Sequence, residues 1–376
     1  SNYNLEMGAG NERKASQIAG SALTTLIVIG VSITMGILLF LHPLLIFFGA
    51  TDNVMPYATD YISIIAVGLP FFTLSVGGNH LIRADRSPTY SMMCTLTGAI
   101  INTILDPTLI FGFHMGIAGA AWATVIGQVV SGIMVILYLR KFKTVKLTKE
   151  KLRPHSHYIG RIVSLGMAPF FNQVSMMVVQ IVMNNVLIRY GAKSSYGSDI
   201  PLACAGIITK INMIFFSINI GISQGLQPII SYNYGAKKLD RVREAYLKAA
   251  ISATIISTVS FICFQLFPRQ IIGIFGSESE AYFRFAEKFF RIFLFCTFIN
   301  GLQPITANFF TAIGKANRGI FLSLTRQVIF LLPLMIILPI FFGIEGVMFS
   351  APIADGFAAV CAITFAVKEL KSFQKL

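Results

Sequence analysis

Long apolar runs alternate along the chain with short segments that contain glycine, proline and charged residues. A membrane-spanning helix needs about 20 consecutive, mainly apolar residues, and ten runs reach that length. They cover residues 17–41, 56–82, 88–113, 117–139, 159–188, 200–230, 243–267, 282–312, 318–342 and 346–367. The pattern predicts an all-α protein that crosses a bilayer about ten times.

Composition supports a membrane protein with several spans. Of the 376 residues, 55% are hydrophobic and 12% are charged, whereas soluble domains carry about 25% charged residues. The five cysteines lie in apolar runs without the spacing of metal ligands, so we expect small hydrophobic side chains and no metal site.

The net charge of +14 is unevenly distributed. When the connections between runs are numbered alternately, 22 of the 30 Lys and Arg residues fall on one side, and Lys210 and Arg326 lie within runs. Because cation-rich connections stay in the cytoplasm, we expect a cell-membrane protein with both ends of this chain cytoplasmic. The basic segment 140–161 then contacts anionic lipid headgroups and not nucleic acid.

Short motifs recur at a separation of 227 residues. Gly-Ile-Ala-Gly at 116–119 matches Gly-Ile-Glu-Gly at 343–346, and Leu-Ile-Phe-Phe-Gly at 45–49 matches Ile-Gly-Ile-Phe-Gly at 272–276. A third match relates the segment around Gly8 to that around Gly235. The offset predicts two parallel, pseudo-symmetric helical bundles with a substrate route between them.

The repeat also predicts a division of the chain. Residues 1–140 would form an N-lobe, residues 141–157 a cytoplasmic connection, and residues 158–376 a C-lobe. Residues 157–228 have no counterpart at this offset. The N-lobe is therefore expected to lack two helices of a twelve-helix molecule.

One carboxylate in the third run is the leading candidate for chemistry. Asn102 and Asp106 are four residues apart and share a helix face, and Pro107 kinks or breaks the helix beside them. A carboxylate at bilayer depth costs about 2.5–3.5 kcal/mol on insertion scales and usually faces a bundle interior or a wet cavity. Asp106 is thus a candidate proton or cation site, the alternative being a structural aspartate.

Other polar residues within the runs have two readings each. Asp355 and Arg326 lie on adjacent predicted helices. They form either a structural ion pair or a second coupling site. A further set of polar and methionine side chains either lines a substrate cavity or joins helices by hydrogen bonds. This set comprises Gln173, Met177, Gln180, Asn184, Gln224, Gln227 and Asn300.

The segment 221–236, Gly-Ile-Ser-Gln-Gly-Leu-Gln-Pro-Ile-Ile-Ser-Tyr-Asn-Tyr-Gly-Ala, together with Asp106-Pro107 and residues 116–124, resembles the multidrug and toxic compound extrusion (MATE) family. The resemblance covers essentially the whole chain and is strongest to the MepA-like branch. It implies a truncated twelve-helix fold, with helices 3–6 in the N-lobe and 7–12 in the C-lobe.

The same resemblance implies a function. The protein would be no enzyme but a monomeric antiporter of the bacterial inner membrane. It would export cationic amphipathic compounds with an inward proton or sodium gradient and would need no cofactor.

Family residues match this chain unevenly. Asn102, Asp106 and Thr124 match an N-lobe cation site of the archaeal and DinF-like branches, whose helix-one aspartate would precede Ser1. The carboxylates of the NorM-like branch fall near Met177 and at Asn300, neither of which is acidic. Alternatives are a flippase for lipid-linked precursors, which would need more cations at membrane depth, and an intramembrane transferase, which would need clustered acidic residues.

Overall fold

The computed structural model describes residues 1–47, 54–144, 153, 155–197, 199–275 and 279–373. Within these ranges every regular element is helical. The first helices are α1 (Asn2–Gly8), α2 (Glu12–Leu39), α3 (Leu41–Phe47), α4 (Met55–Ala84), α5 (Pro88–Pro107), α6 (Gly116–Leu139) and α7 (Ser156–Gly191). They are followed by α8 (Asp199–Gly235), α9 (Leu239–Leu266), α10 (Pro268–Gly273), α11 (Glu280–Phe293), α12 (Leu302–Ala312), α13 (Ala316–Leu324), α14 (Leu332–Phe342) and α15 (Ile344–Phe373).

The helices form two compact units, Asn2–Ile162 and Val163–Leu376, here named the N-unit and the C-unit. The division falls inside α7, whose first residues bond to the N-unit through Tyr158 Oη and Gln17 Oε1, 3.2 Å apart. Much of the predicted connection, residues 145–152 and 154, lies outside the described residues. The lobe limits drawn from the sequence therefore stay a prediction.

The prediction of an all-α membrane protein is confirmed. Nine helical stretches of the described chain are long and apolar enough to cross a membrane, and the number is ten if one bent pair of helices is counted as a single span. Each stretch corresponds to one predicted run. Two of them include π-helical segments, Thr108–Gly112 after α5 and Thr325–Leu331 between α13 and α14.

The predicted run 282–312 is the exception to a continuous helix. It is bent by 41° between α11 and α12, with a 3-10 turn at Thr297–Ile299. A Cβ atom at Gly301 would lie 3.0–3.1 Å from Ser257, Ala253 and Asn219, so this stretch runs close against α8 and α9. These contacts therefore lie beside the bend and the 3-10 turn.

The sequence repeat is visible in the helix boundaries. Helices α2 and α9 each span 28 residues and begin 227 residues apart. Helices α6 and α15 begin 228 residues apart. Corresponding elements thus recur in the same order in both units, as expected for pseudo-symmetric bundles.

Small residues allow α5 and α6 to approach closely in the N-unit. A Cβ atom on Gly98 would lie 2.8 Å from the carbonyl oxygen of Gly127, and one on Gly127 would lie 2.6 Å from that of Gly98. Lipid tails are as apolar as leucine side chains, so close van der Waals packing, rather than a hydrophobic driving force, associates helices in a membrane. This contact fixes the register of the two helices and places Asn102 opposite Thr124.

Candidate functional site

Asp106 belongs to a small polar cluster between α5 and α6. Asn102 Nδ2 lies 3.5 Å from Asp106 Oδ1 and 3.3 Å from Thr124 Oγ1. The hydroxyl group of Thr124 donates in turn to the carbonyl oxygen of Ala120 at 3.0 Å. All three side chains of the cluster are partly buried. In the described chain no Lys or Arg forms an ion pair with Asp106, so the carboxyl group has only neutral hydrogen-bonding partners.

Pro107 changes the helix type next to this carboxyl group. It offers no N–H to the helix, and the chain continues as the π-helical segment Thr108–Gly112 instead of ending. The amide of Phe113 bonds to the carbonyl oxygen of Thr108 at 3.0 Å. Wide π turns inside α-helices are often found at functional sites, and here one directly follows the acidic residue.

Asp355 lies in a different environment in the C-unit. Its Oδ1 accepts from Arg326 Nε at 2.5 Å, and its Oδ2 accepts from Asn300 Nδ2 at 3.0 Å. The side chains of Arg326 and Asp355 are only 12% and 2% exposed. The structure therefore brings together the two charged residues that the sequence placed on adjacent helices, and the guanidinium group compensates the buried carboxylate.

The candidate cavity residues occupy three places. Gln173, Met177, Gln180 and Asn184 follow the spacing of one face of α7, and Gln180 Nε2 donates to Asn184 Oδ1 at 3.0 Å. Met177 is 58% exposed. Gln224 and Gln227 lie partly buried on α8. Asn300 is buried and engaged by Asp355, so it lies apart from the stripe on α7.

A buried carboxylate that sequence reasoning missed joins the ends of three N-unit helices. Asp85, in the turn between α4 and α5, has no exposed surface. It accepts hydrogen bonds from the backbone amides of Lys143 and Thr144 at 2.8 and 2.9 Å. Tyr138 Oη lies 2.8 Å from Asp85 Oδ2 and 2.6 Å from Ser87 Oγ. The chain that leaves α6 is thereby tied to the start of α5.

Tyr3 closes this cluster from α1. The hydroxyl group of Thr144 bonds to Asp85 and to Tyr3. Burial raises the pKa of Tyr3 to about 12, so its phenol stays protonated and donates to Thr144. The only sequence signal was a carboxylate among cations in Arg-Ala-Asp-Arg-Ser-Pro at 83–88, with proline at the first position of α5.

The C-unit ties the corresponding elements together with opposite polarity. Glu369, on α15, is 3% exposed and pairs with Lys315, the residue before α13, and with Arg318, in the first turn of α13. In the N-unit the acid lies on the turn, whereas in the C-unit the acid lies on the last helix. In each unit, the contact joins the C-terminal end of one helix, α6 or α15, to the corresponding turn, which is the α4–α5 turn in the N-unit and the α12–α13 turn in the C-unit.

Comparison with known proteins shows the family. The MatE family model matches residues 5–108 and 168–337. The multidrug export protein MepA of Staphylococcus aureus (strain bovine RF122 / ET3-1) is 25% identical over 358 residues, which cover 95% of this chain and 77% of that protein. MepA of Staphylococcus haemolyticus (strain JCSC1435) is 26% identical over 367 residues, which cover 97% and 79%.

A solved structure shows the same fold. It is described as the outward-facing conformation of a multidrug resistance MATE family transporter of the MOP superfamily. It superposes with a TM-score of 0.92 at 21% identity, over 100% of this chain and 83% of that one. With its membrane-spanning helices and its family match over most of its length, the chain belongs to the MatE family of multi-pass membrane transporters.

Proposed function

We propose that this protein exports cationic amphipathic compounds from the cytoplasm in exchange for an inward flow of H⁺ or Na⁺, with Asp106 as the coupling carboxylate. The observation that carries the proposal is the cluster of Asp106, Asn102 and Thr124. It places a carboxyl group within a membrane span without a compensating cation in the described residues. Such a group gains most from a mobile cation or proton, because an uncompensated charge is costly at this depth.

The coupling follows from differential affinity for two conformations. A ligand shifts a conformational equilibrium only if it binds one state more tightly than the other. H⁺ or Na⁺ at Asp106 would stabilise one packing of α5 against α6, and the exported cation would stabilise the other. The π segment after Pro107 provides a place where α5 changes shape without breaking.

The substrate class is proposed from the stripe of polar and methionine side chains on α7, of which Gln173 and Met177 are exposed and Gln180 and Asn184 are partly buried. Amide groups of Gln173 and Gln180 alternate there with the thioether of Met177, an adaptable apolar surface. Surfaces of this kind suit ligands of varied shape, and the MepA relatives are named as multidrug exporters. A flippase is less well supported, because Arg326, one of two cations within the runs, is engaged by Asp355.

The distribution of cations supports the orientation and the location. We place the turns that contain Asp85 and Lys315 on the cytoplasmic side, since most Lys and Arg residues lie in connections of that side. The protein is then a monomeric carrier of the bacterial inner membrane with both ends of this chain in the cytoplasm. It needs no cofactor beyond the ion gradient.

An exchange experiment with Asp106→Asn tests the proposal. The full-length protein is reconstituted in vesicles, and uptake of the cationic dye ethidium is followed after a jump in pH or in Na⁺ concentration. Asparagine keeps the shape of the side chain but binds neither ion. We expect gradient-driven transport to fall at least tenfold while ethidium binding changes less than twofold.

Asp60→Asn is the matched control. Asp60 lies on α4 in the same unit, is exposed, and has no ion-pair partner in the described chain. This variant should transport at the wild-type rate. Wild-type transport by Asp106→Asn would remove the coupling role from Asp106.

A further inference from the structure

Polar side chains line the contact of α4, α5 and α6 over most of the length of the N-unit. Gln128 and Ser131 follow Thr124 towards the C-terminal end of α6, at the helical spacing that places them on the same face. Ser131 Oγ lies 2.6 Å from Ser75 Oγ on α4, and both residues are buried. One turn further along α4, Asn79 Nδ2 donates to Thr95 Oγ1 at 3.3 Å.

The line continues to the buried Asp85 cluster. Ser91 Oγ donates to the carbonyl oxygen of Asn79 at 3.3 Å, and Ser87, the residue that precedes α5, lies one turn before Ser91. Ser87 in turn contacts Tyr138 Oη and Lys143 Nζ, at 2.6 and 2.9 Å. We name this line the polar seam. It consists of Thr124, Gln128, Ser131, Ser75, Asn79, Thr95, Ser91 and Ser87.

Two atoms of the polar seam lack a partner in the described chain. Gln128 Oε1 and Asn79 Oδ1 are buried acceptors without a hydrogen bond. The Asn79 side chain belongs to a residue that is only 7% exposed. Gln128 Oε1 packs close to Gly68 on α4, where a Cβ atom would lie 2.6 Å from it. Buried acceptors that the protein leaves unsatisfied normally accept from bound water.

The polar seam spans the distance that a coupling proton has to cover. Asp106 is 19 residues from Ser87, most of them in α5, which is roughly 28 Å at 1.5 Å per residue. Asp106 therefore lies near one end of the span, and the Asp85 cluster lies at the other. The titratable side chains at that far end include Asp85, Tyr138, Lys143, Tyr3 and Arg86.

We infer that the polar seam holds a hydrogen-bonded chain of buried water molecules, here called the water file, that carries protons between Asp106 and the Asp85 cluster. The inference rests on the proposed coupling role of Asp106. The O–H bond of the protonated Asp106 carboxyl group breaks, its proton joins the nearest water, and the water at the far end releases one proton to the cytoplasm. The carboxylate is left behind, so charge and atoms balance. The serine and amide side chains orient the water, and no other reactant takes part.

Replacing Gln128 and Asn79, whose side-chain oxygens lack a partner in the described chain, by leucine should interrupt the water file. Full-length protein is reconstituted in vesicles that contain a pH-sensitive dye, and ethidium is added to drive exchange. We expect Gln128→Leu combined with Asn79→Leu to lower proton movement at least tenfold while ethidium binding changes less than twofold. Gln128→Glu, which keeps a polar group in place, should retain at least half of the wild-type proton movement.

Matched variants distinguish an interrupted water file from a general loss of folding or function. Gln265→Leu removes a partly buried amide from α9, outside the polar seam, and should leave proton movement unchanged. If the double leucine variant no longer binds ethidium, the smaller pair Ser75→Ala and Ser131→Ala is measured instead, and a loss of at least threefold is expected. Normal proton movement in a folded seam variant overturns the inference.

Failure of the inference and failure of the proposed function give different patterns. If Asp106→Asn abolishes exchange while the seam variants move protons normally, only the polar seam is wrong. A wild-type protein that exchanges ethidium for Na⁺ without moving protons likewise overturns the seam and keeps the proposed function. If Asp106→Asn exchanges normally, both are wrong, because the water file then does not end at Asp106.

Discussion

Asp106 and Asp355 are carboxylates on membrane-spanning helices, and they differ in what surrounds them. Asp106 is partly buried next to the amide of Asn102, which itself contacts Thr124. Asp355 is almost fully buried and is bonded to the guanidinium group of Arg326. A carboxylate with a fixed counter-ion gains little stabilisation from a mobile cation. A carboxylate with only neutral partners gains much more. The contrast explains why the coupling role is proposed for the N-unit.

The sequence repeat sharpens this comparison. At the 227-residue offset, Asp355 corresponds to Gln128 and Arg326 corresponds to Ala99. Where the C-unit has a buried ion pair, the N-unit has an amide whose Oε1 finds no partner in the described chain. The same position of the repeat thus holds a buried ion pair in the C-unit and an amide oxygen without a partner among the described residues in the N-unit.

Breaking the ion pair of the C-unit should have the largest effect on stability. Arg326→Leu leaves the carboxylate of Asp355 buried without its counter-ion, which destabilises a protein by about 3–5 kcal/mol. Unfolding in mixed micelles, followed by circular dichroism, measures the loss. Replacing both partners by leucine should recover most of it, since apolar replacements of a whole buried pair are often neutral.

Lys210→Leu provides the control for this cycle. Lys210 is an exposed residue on α8 with no ion pair in the described residues, so its loss should change the free energy of unfolding by less than about 0.5 kcal/mol. If Arg326→Leu is equally harmless, the buried pair is not what stabilises this part of the C-unit.

Glycines that occupy the same place in the repeat should differ by a smaller amount. A Cβ atom at Gly346 would lie 2.4–2.5 Å from the backbone of Leu338 and Pro339, whereas one at Gly119 would lie 2.9–3.1 Å from that of Leu109 and Ile110. Backbone atoms cannot give way cheaply, and overpacking of this kind costs about 1–3 kcal/mol. Gly346→Ala should therefore be the more destabilising of the two in the same unfolding assay. Equal losses would show that the two bundles tolerate a methyl group alike at this turn, and a larger loss for Gly119→Ala would contradict the ranking drawn from the distances.

Local patterns in the sequence were sufficient for the helices but not for every contact. Run length predicted the nine spans and the bent pair found among the described residues, because a bilayer imposes a length that side-chain chemistry must match. The bend before Gly301 was missed, because run length says nothing about bends, and the close contacts of Gly301 come from α8 and α9, far away in the sequence. Helical spacing placed Asn102 beside Asp106. Thr124 was found only through family resemblance, because its position depends on the register of α5 against α6.

The Asp85 cluster illustrates the same limit. Its partners Tyr138, Lys143 and Thr144 follow it by more than fifty residues, and two of them contribute backbone amides. No periodicity relates a turn to the end of a distant helix. Asp85 was therefore not singled out from the sequence, although the structure buries it completely.

The smallest effect on stability, and the sharpest test of the N-unit cluster, is expected for Thr124→Val. Valine keeps the shape of threonine but removes the hydroxyl group that accepts from Asn102 at 3.3 Å. Hydrogen bonds between membrane helices contribute about 0.6 kcal/mol on average, so unfolding should change little. Ion-coupled transport should nevertheless fall severalfold, because Asn102 loses one of the two contacts that hold it beside Asp106.

Thr364→Val is the matched control, since Thr364 is exposed on α15 and its hydroxyl group bonds only to the carbonyl oxygen of Val360 among the described residues, at 2.7 Å. A stability loss comparable to that of Arg326→Leu, or transport equal to that of Thr364→Val, would contradict the view that this cluster serves coupling and the Asp355 pair serves structure.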